Sequence, residues 1–419
     1  MLAIGQTLRC ASGEEVLVER AFTPGGQGCA YAVRRSKGGP QAVVKVFHDR
    51  FDRAETQRRL EFLIGQRLGA ACPVLVPPRE LVADAAHVGY LSDLAPGEPL
   101  EDFLGHPGLT IHDNLTLAAA LAHAFSVLHG RGLAHGDIHG SNVLVACIDG
   151  KPRASVIDFD NFGAPAVPPP PMVGQLLYLS PELRRALSAG RPAVPDVRSD
   201  LFALGVLMHE TVLLLHPAVG ADGTPESFDR AMMDGWLHDP ARPMRPTGVG
   251  GMPPGALNAD LQRLFRLSLS PDPAARPPAL AWKDALLAAL KTVHACDACA
   301  LPFLVDSSKV ACPSCSAVFP DYLLRLPDGR TLRIGAAAVL VGHELLKSPR
   351  VSREHAVFRK IGPELFVENL GRNGTRRWSG SAWVRLPDRS PILLFPDDRL
   401  RLGDVDVVIA VAAKVRGAA

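Results

Sequence analysis

The chain has 419 residues, of which 47% are hydrophobic and 21% charged, and its formal net charge is +2. That length exceeds one ordinary core, so two or three domains are expected, and the composition excludes a disordered chain. The near-neutral balance gives no reason to invoke nucleic acid or a membrane surface.

The N-terminus lacks the basic start and continuous apolar core of a signal peptide. The longest apolar stretches, Leu115–Leu128 and Leu201–Leu215, are interrupted by polar residues and read as buried helices, so a cytoplasmic protein is expected. Cys10, Cys29, Cys72 and Cys147 are scattered, whereas Cys296, Cys299, Cys312 and Cys315 are clustered. This division argues for metal binding and against a disulfide framework.

In chain order, residues 1–35 alternate around Thr23-Pro-Gly-Gly-Gln-Gly28, which predicts a hairpin. Backbone N–H groups around Gly25, Gly26 and Gly28 could cradle phosphates, although by itself the segment is an ordinary turn. Gln41–Phe47 has the β-branched content of a buried strand, and Lys45 within it needs a partner. A helix over Arg53–Leu68 places Leu60, Leu63, Ile64 and Leu68 on one face; Glu61 is expected to pair with Lys45, with Glu55 as second choice. Val88–Leu94 reads as a strand and Ala95–Pro99 as a hinge. From Asn114 the pattern is mainly helical, apart from short strands at Val143–Val145 and Ser155–Ile157. A β-rich front and a helical back predict two lobes. Residues 165–171 (PAVPPPP) are expected to form a stiff, exposed loop.

The densest chemistry is His135-Gly-Asp-Ile-His-Gly-Ser-Asn142, followed by Val156-Ile157-Asp158-Phe-Asp160. A carboxylate, Asp137, is suited to orient and deprotonate an attacking hydroxyl. An amide oxygen on Asn142 and a carboxylate on Asp158 are hard donors for a divalent cation at phosphates. Together these segments resemble the eukaryotic-like protein kinase family over roughly residues 10–292. The resemblance implies that Lys45, aligned by Glu61, holds the α/β-phosphates of ATP, and that Mg²⁺ (or Mn²⁺) sits on Asn142 and Asp158. Ser180-Pro-Glu182, Arg198-Ser-Asp200 and Pro273-Ala-Ala-Arg276 resemble the family's scaffold segments, with Arg276 pairing Glu182 and Asp200 supporting the catalytic loop.

The departures are specific. Gly136 replaces the arginine that binds a phosphorylated activation loop, and residues 161–179 contain no Ser or Thr. Activity is therefore expected not to depend on activation-loop Ser/Thr phosphorylation. His139 stands for a lysine, and Asp160 for the glycine of D-F-G.

Cys296-Asp-Ala-Cys299 and Cys312-Pro-Ser-Cys315 match a closed, structural Zn²⁺ site, with redox chemistry as the competing use. The short segment is read as a rigid spacer. Residues 322–412 resemble a forkhead-associated (FHA) domain through Gly342-His343, Ser352-Arg353-Glu354-His355, Glu368-Asn-Leu-Gly371 and Asn373-Gly-Thr375. By resemblance Ser352 would bind phosphate, Asn373 the peptide backbone, and Arg353 and Arg372 would add charge. His343 takes the place of the family's arginine, so weak or pH-dependent phosphopeptide binding is expected.

The expected fold is α+β and multidomain. It comprises a bilobal protein kinase over 1–293 (lobes about 1–94 and 95–293), a zinc ribbon over 294–320, and an all-β FHA-like sandwich over 321–419. The expected function is an ATP/Mg-dependent protein kinase, by family default Ser/Thr-specific, whose FHA-like domain recruits a phosphothreonine protein or its own phosphorylated segment. A metal-dependent phosphatase and a von Willebrand-type domain protein are partners by analogy. The alternatives are a pseudokinase scaffold and a small-molecule phosphotransferase of the aminoglycoside-kinase type.

Overall fold

The computed structural model describes residues 2–84, 87–170, 174–218, 224–236, 253–306 and 308–412. The chain divides into two compact units: residues 1–254 with 260–291, and residues 255–259 with 292–419.

The first unit opens with β1 (Thr7–Arg9), β2 (Glu15–Ala21), β3 (Gly28–Arg35), β4 (Ala42–Phe47), α1 (Arg53–Gly65), α2 (Leu68–Ala71), β5 (Glu80–Ala83) and β6 (Val88–Asp93). Its strands form one antiparallel sheet in the order β1-β2-β3-β4-β6-β5. The period of two along β4 turns Ala42, Val44 and Val46 into the apolar cluster with Val16, Val18, Tyr31 and Leu91, and puts Lys45 on the opposite face. Asp52 caps α1 by accepting from the Glu55 N–H. The single helix expected over 53–68 is broken after Gly65, because Arg67 takes a left-handed conformation (φ 48°).

Then come β7 (Glu98–Pro99), α3 (Leu100–Phe103), α4 (Ile111–His129), β8 (Val143–Ile148), β9 (Lys151–Val156), α5 (Pro181–Ser188), α6 (Val197–Leu213), α7 (Pro225–Met233), α8 (Ala259–Ser268) and α9 (Ala279–Ala289). Capping boxes at Thr110/Asp113 and Asp196/Ser199 set the starts of α4 and α6. Buried Leu115, Leu121, Phe125 and Leu128 make α4 a core helix packed against α6 and α9. Among the described residues no helix is long and apolar enough to cross a membrane.

The proline-rich loop is exposed at Pro165, Ala166 and Pro168, as expected, but Val167, Pro169 and Pro170 are half-buried, and Arg59 of α1 donates to the carbonyl of Pro168. Pro171 lies outside the described residues.

The second unit begins with the hairpin β10 (Val293–Ala295) and β11 (Pro302–Leu304). It continues through β12 (Tyr322–Arg325), β13 (Thr331–Ile334), β14 (Val339–Val341), α10 (His343–Leu346), β15 (Ala356–Ile361), β16 (Glu364–Asn369), β17 (Thr375–Trp378), β18 (Trp383–Arg385), β19 (Pro391–Leu394), β20 (Arg399–Leu402) and β21 (Val405–Val411). Two sheets, β13-β12-β21-β20-β17-β18 and β14-β15-β16-β19, enclose a core of Leu324, Ile334, Phe358, Val367, Leu400 and Ile409.

Candidate functional site

The β8–β9 hairpin assembles the first site. Its register pairs Val143 with Val156, so Asn142 and Asp158 emerge side by side at one end, and the Ile157 N–H donates to the Asn142 carbonyl at 2.9 Å. The Asn142 side-chain amide donates to the Asp137 carbonyl at 3.0 Å, leaving its oxygen as the remaining donor atom. Asp158 sits at φ +60°, a conformation uncommon for a non-glycine residue. Lys45 donates to both of its carboxylate oxygens at 2.9 Å.

The loop bearing Asp137 hangs from α6. One oxygen of the nearly buried Asp200 accepts from the His135 N–H at 2.6 Å, and the other accepts from the Gly136 N–H at 3.0 Å. His129 also lies 3.1 Å from Asp200. Behind the loop, the fully buried His135 donates to the Ile157 carbonyl at 3.1 Å and packs on Phe159 with ring centres 4.8 Å apart. Gly136 has φ +77°, and a Cβ there would lie 2.3 Å from the Asn161 carbonyl oxygen. The missing arginine is therefore not a neutral loss, because this backbone admits only glycine without rearrangement.

Asp137 receives the Asn161 side-chain amide at 3.1 Å and the Gln175 N–H at 3.2 Å, with His139 Nε2 at 3.5 Å. Burial opposes ionisation, but the hydrogen bond and charge of His139, with the Gln175 N–H, hold the carboxyl below its ordinary range. Gln27 of the Gly-rich turn donates to Asn161 at 2.5 Å, so Asn161, itself bonded to Asp137, links that turn to the catalytic loop. Gly25 bonds to Gly28 across the turn, and a Cβ on Gly28 would meet the Val46 carbonyl at 2.2 Å. Gly26 accepts from Arg50.

The expected Lys45–Glu61 pair is a correction. Glu61 is exposed and accepts from Gln57 at 2.8 Å, while Glu55 pairs with Arg58. The phase of α1 turns Thr56, Arg59, Leu60 and Leu63 inward and carries Glu61 out. Lys45 pairs instead with Asp160, whose Oδ2 lies 2.6 Å from the ammonium. Burial lowers the lysine's tendency to hold its proton, but the charges of Asp160 and Asp158 more than reverse this. Burial beside Asp158 pushes the Asp160 carboxyl up to about 6, against the pull of Lys45 and of the Tyr90 hydroxyl donated at 3.1 Å. Arg59 spends its guanidinium on the carbonyls of Phe162 (2.7 Å), Asp160 (3.4 Å) and Pro168. Sequence reasoning missed Arg59, Asn161, Gln27 and Gln175. The i, i+4 spacing of Arg59 and Leu63 was the one available signal.

Farther out, the buried Arg276 donates to both oxygens of Glu182 at 2.7 and 2.8 Å, closing the Ser180-Pro-Glu182 segment onto the helical lobe.

In the second unit, Cys296, Cys299, Cys312 and Cys315 place their sulfurs within 4.8 Å of one another. Two of the separations are 3.7 and 3.8 Å, the edge length of a tetrahedron with metal–sulfur bonds of about 2.3 Å. The Ala298 and Ser314 N–H groups donate to Cys296 and Cys312. This donor set could hold zinc in a closed site.

At the loop end of the sandwich, Ser352 Oγ accepts from the Arg372 N–H at 3.3 Å, and Asn373 donates to the Arg350 carbonyl at 2.6 Å. Arg353 and Arg372 are exposed. His343 stands at the start of α10; its N–H donates to the Ser352 carbonyl at 3.0 Å, and its buried Nδ1 takes no protein hydrogen bond among the described residues. His355 is buried and clamps the loops, accepting from the Ser352 N–H and donating to the Gly374 carbonyl. A Cβ on Gly342 would lie 1.7 Å from the Arg353 carbonyl.

Two known domain families match this chain. The FHA domain matches residues 325–403. The probable serine/threonine-protein kinase PkwA of Thermomonospora curvata is 29% identical over 299 residues, which cover 67% of this chain and 34% of the relative. The human serine/threonine-protein kinase SBK2 is 29% identical over 230 residues, covering 50% of this chain and 60% of the relative. The chain thus spans between about a third and three-fifths of the length of these two curated relatives. The solved structure of vaccinia related kinase 3 superposes with a TM-score of 0.53 at 17% identity, covering 70% of this chain and 91% of that one, and shows the shared fold. The protein kinase domain matches residues 18–284, most of the chain, and with the cleft described above it places the chain in the protein kinase family.

Proposed function

We propose that this chain transfers the γ-phosphoryl group of ATP to a Ser or Thr hydroxyl of a protein, and that its FHA domain recruits a phosphothreonine protein or the chain's own phosphorylated segment. The observation that carries this reading is the convergence of Asp137, Asn142, Asp158 and Lys45 on one cleft. Asn142 and Asp158 offer the hard oxygen atoms a divalent cation requires, and the cation, when bound, would neutralise phosphate oxygens. Lys45 holds a permanent positive charge for the phosphates. Asp137, kept ionised, orients the incoming hydroxyl and takes up its proton. A zinc ion in the four-cysteine site would be structural, since four thiolates leave no open position.

A second reading, a scaffold without transfer, is favoured by one observation. Both Asp137 oxygens are occupied by Asn161 and by the activation-segment N–H of Gln175, where a substrate hydroxyl must approach. Incubation with Mg·ATP labelled on the γ-phosphate, beside Asp137→Asn, separates the two. Label on protein that vanishes in the variant supports the kinase, whereas nucleotide binding without transfer supports the scaffold. Phosphothreonine-peptide affinity measured between about pH 5.5 and 8 tests the reader: affinity that stays flat removes His343 from recognition. A metal-dependent phosphatase and a von Willebrand-type domain protein are the partners to examine in pull-downs. The proposed site of action is the cytoplasm.

A further inference from the structure

The charges that organise this cleft have changed places. Protein kinases align the strand lysine with a glutamate on the small-lobe helix. Here the buried residues of α1 include Arg59 and no carboxylate; Glu61 is exposed and bonded by Gln57, and the half-buried Glu55 is paired with Arg58. Lys45, 13% exposed at its side chain, instead meets two carboxylates from a single tripeptide, Asp158-Phe159-Asp160. Asp160 occupies the position where the family has glycine.

These two carboxylates are not equivalent. The Asp158 side chain is 34% exposed and is the one suited to a cation, whereas that of Asp160 is 2% exposed. A buried ammonium left without a carboxylate is strongly disfavoured, so Lys45 needs a partner that stays when Asp158 turns to the cation. Asp160 is held for that task from three sides. The Tyr90 hydroxyl donates to Oδ1, Arg59 bonds its backbone carbonyl, and the fully buried Phe159 anchors the preceding residue against His135. Arg59 meanwhile ties α1 to the same segment through the Phe162 and Pro168 carbonyls.

We propose that Asp160 is the positioning residue that orients Lys45 toward the nucleotide phosphates, and that Arg59 has become the helix's tether to the segment instead of its lysine partner. This rests on the kinase reading above. Its consequence is that restoring the family residue, Asp160→Gly, weakens the site, whereas removing the helix carboxylate, Glu61→Gln, leaves it intact.

The test uses the full chain and a fluorescent ATP analogue, read as Kd with and without Mg²⁺, beside kcat and KM for transfer and a thermal melt for each variant. Asp160→Gly and Asp160→Asn are expected to raise Kd and KM by about tenfold or more. Asp160→Asn preserves size and an acceptor for Tyr90, so it separates lost charge from lost fold. Unchanged Kd in a folded Asp160→Asn protein, or a tenfold loss in Glu61→Gln, overturns the proposal. Wild-type protein that binds the analogue but transfers no phosphate refutes the kinase reading while the Kd series still decides the role of Asp160. Wild-type protein that binds no nucleotide refutes both.

Discussion

Gly136→Ala is the perturbation whose cost the structure defines best. Two terms act at this position. A left-handed conformation costs a residue with a Cβ about 1–2 kcal/mol, and φ here is +77°. The new Cβ would also lie 2.3 Å from the Asn161 carbonyl oxygen, a backbone atom that cannot turn aside as a side chain would. Relieving that overlap costs about 1–3 kcal/mol. The total, about 2–5 kcal/mol, corresponds to roughly 5–15 °C in the melting temperature of a unit this size. Gly150→Ala isolates the first term, because φ there is +71° and nothing lies within 4 Å of the added Cβ. Differential scanning calorimetry of both variants should therefore place Gly136→Ala below Gly150→Ala by the clash term alone. Phosphoryl transfer should fall only in Gly136→Ala, since displacing Asn161 disturbs its hydrogen bond to Asp137. Equal melting temperatures and equal transfer in the two variants would refute the reasoning.

Arg276→Ala leaves the Glu182 carboxylate without the partner it holds across 94 residues of chain, and is expected to cost about 3–5 kcal/mol in denaturant unfolding of the first unit. Glu210 provides the pH dependence: burial pushes its carboxyl from 4.5 up to about 7, although the Tyr178 hydroxyl donated at 2.5 Å opposes the shift. A raised acid stabilises the fold fully below its unfolded value and loses that contribution as pH rises through about 7. Glu210→Gln should thus match wild type near pH 4.5 and exceed it by about 2–3 kcal/mol at pH 8, read from unfolding at both pH values. If the four thiolates hold zinc, elemental analysis should return one zinc per chain. A strong chelator should then abolish the ribbon's hydrogen-exchange protection while leaving the melt of the first unit in place.

Much of the site was legible in sequence because its logic is local. The spacing in His135–Asn142 and Asp158 survives folding because a two-stranded hairpin with defined register places its own ends together. The paired C-x-x-C turns carry their geometry within four residues each, and the Ser352–His355 and Asn373–Thr375 segments similarly mark one loop end of the sandwich. Likewise, alternation along β4 was enough to single out Lys45 as needing a carboxylate.

Which carboxylate it met was decided only by tertiary structure. Lys45 and Asp158 are 113 residues apart, and Glu61, with Glu55 as second choice, was the expected partner until the helix's rotational phase was known. That phase is set by burying Leu60 and Leu63, and it brings Arg59 inward with them. The role of Gly136 was equally hidden: its replacement of arginine is visible in the sequence, but the Asn161 carbonyl that forbids a side chain there comes from the segment beyond β9. Local pattern determines what a residue can do. Packing between distant segments determines what it touches, because a charge or a Cβ interacts over a few ångströms whatever the separation along the chain.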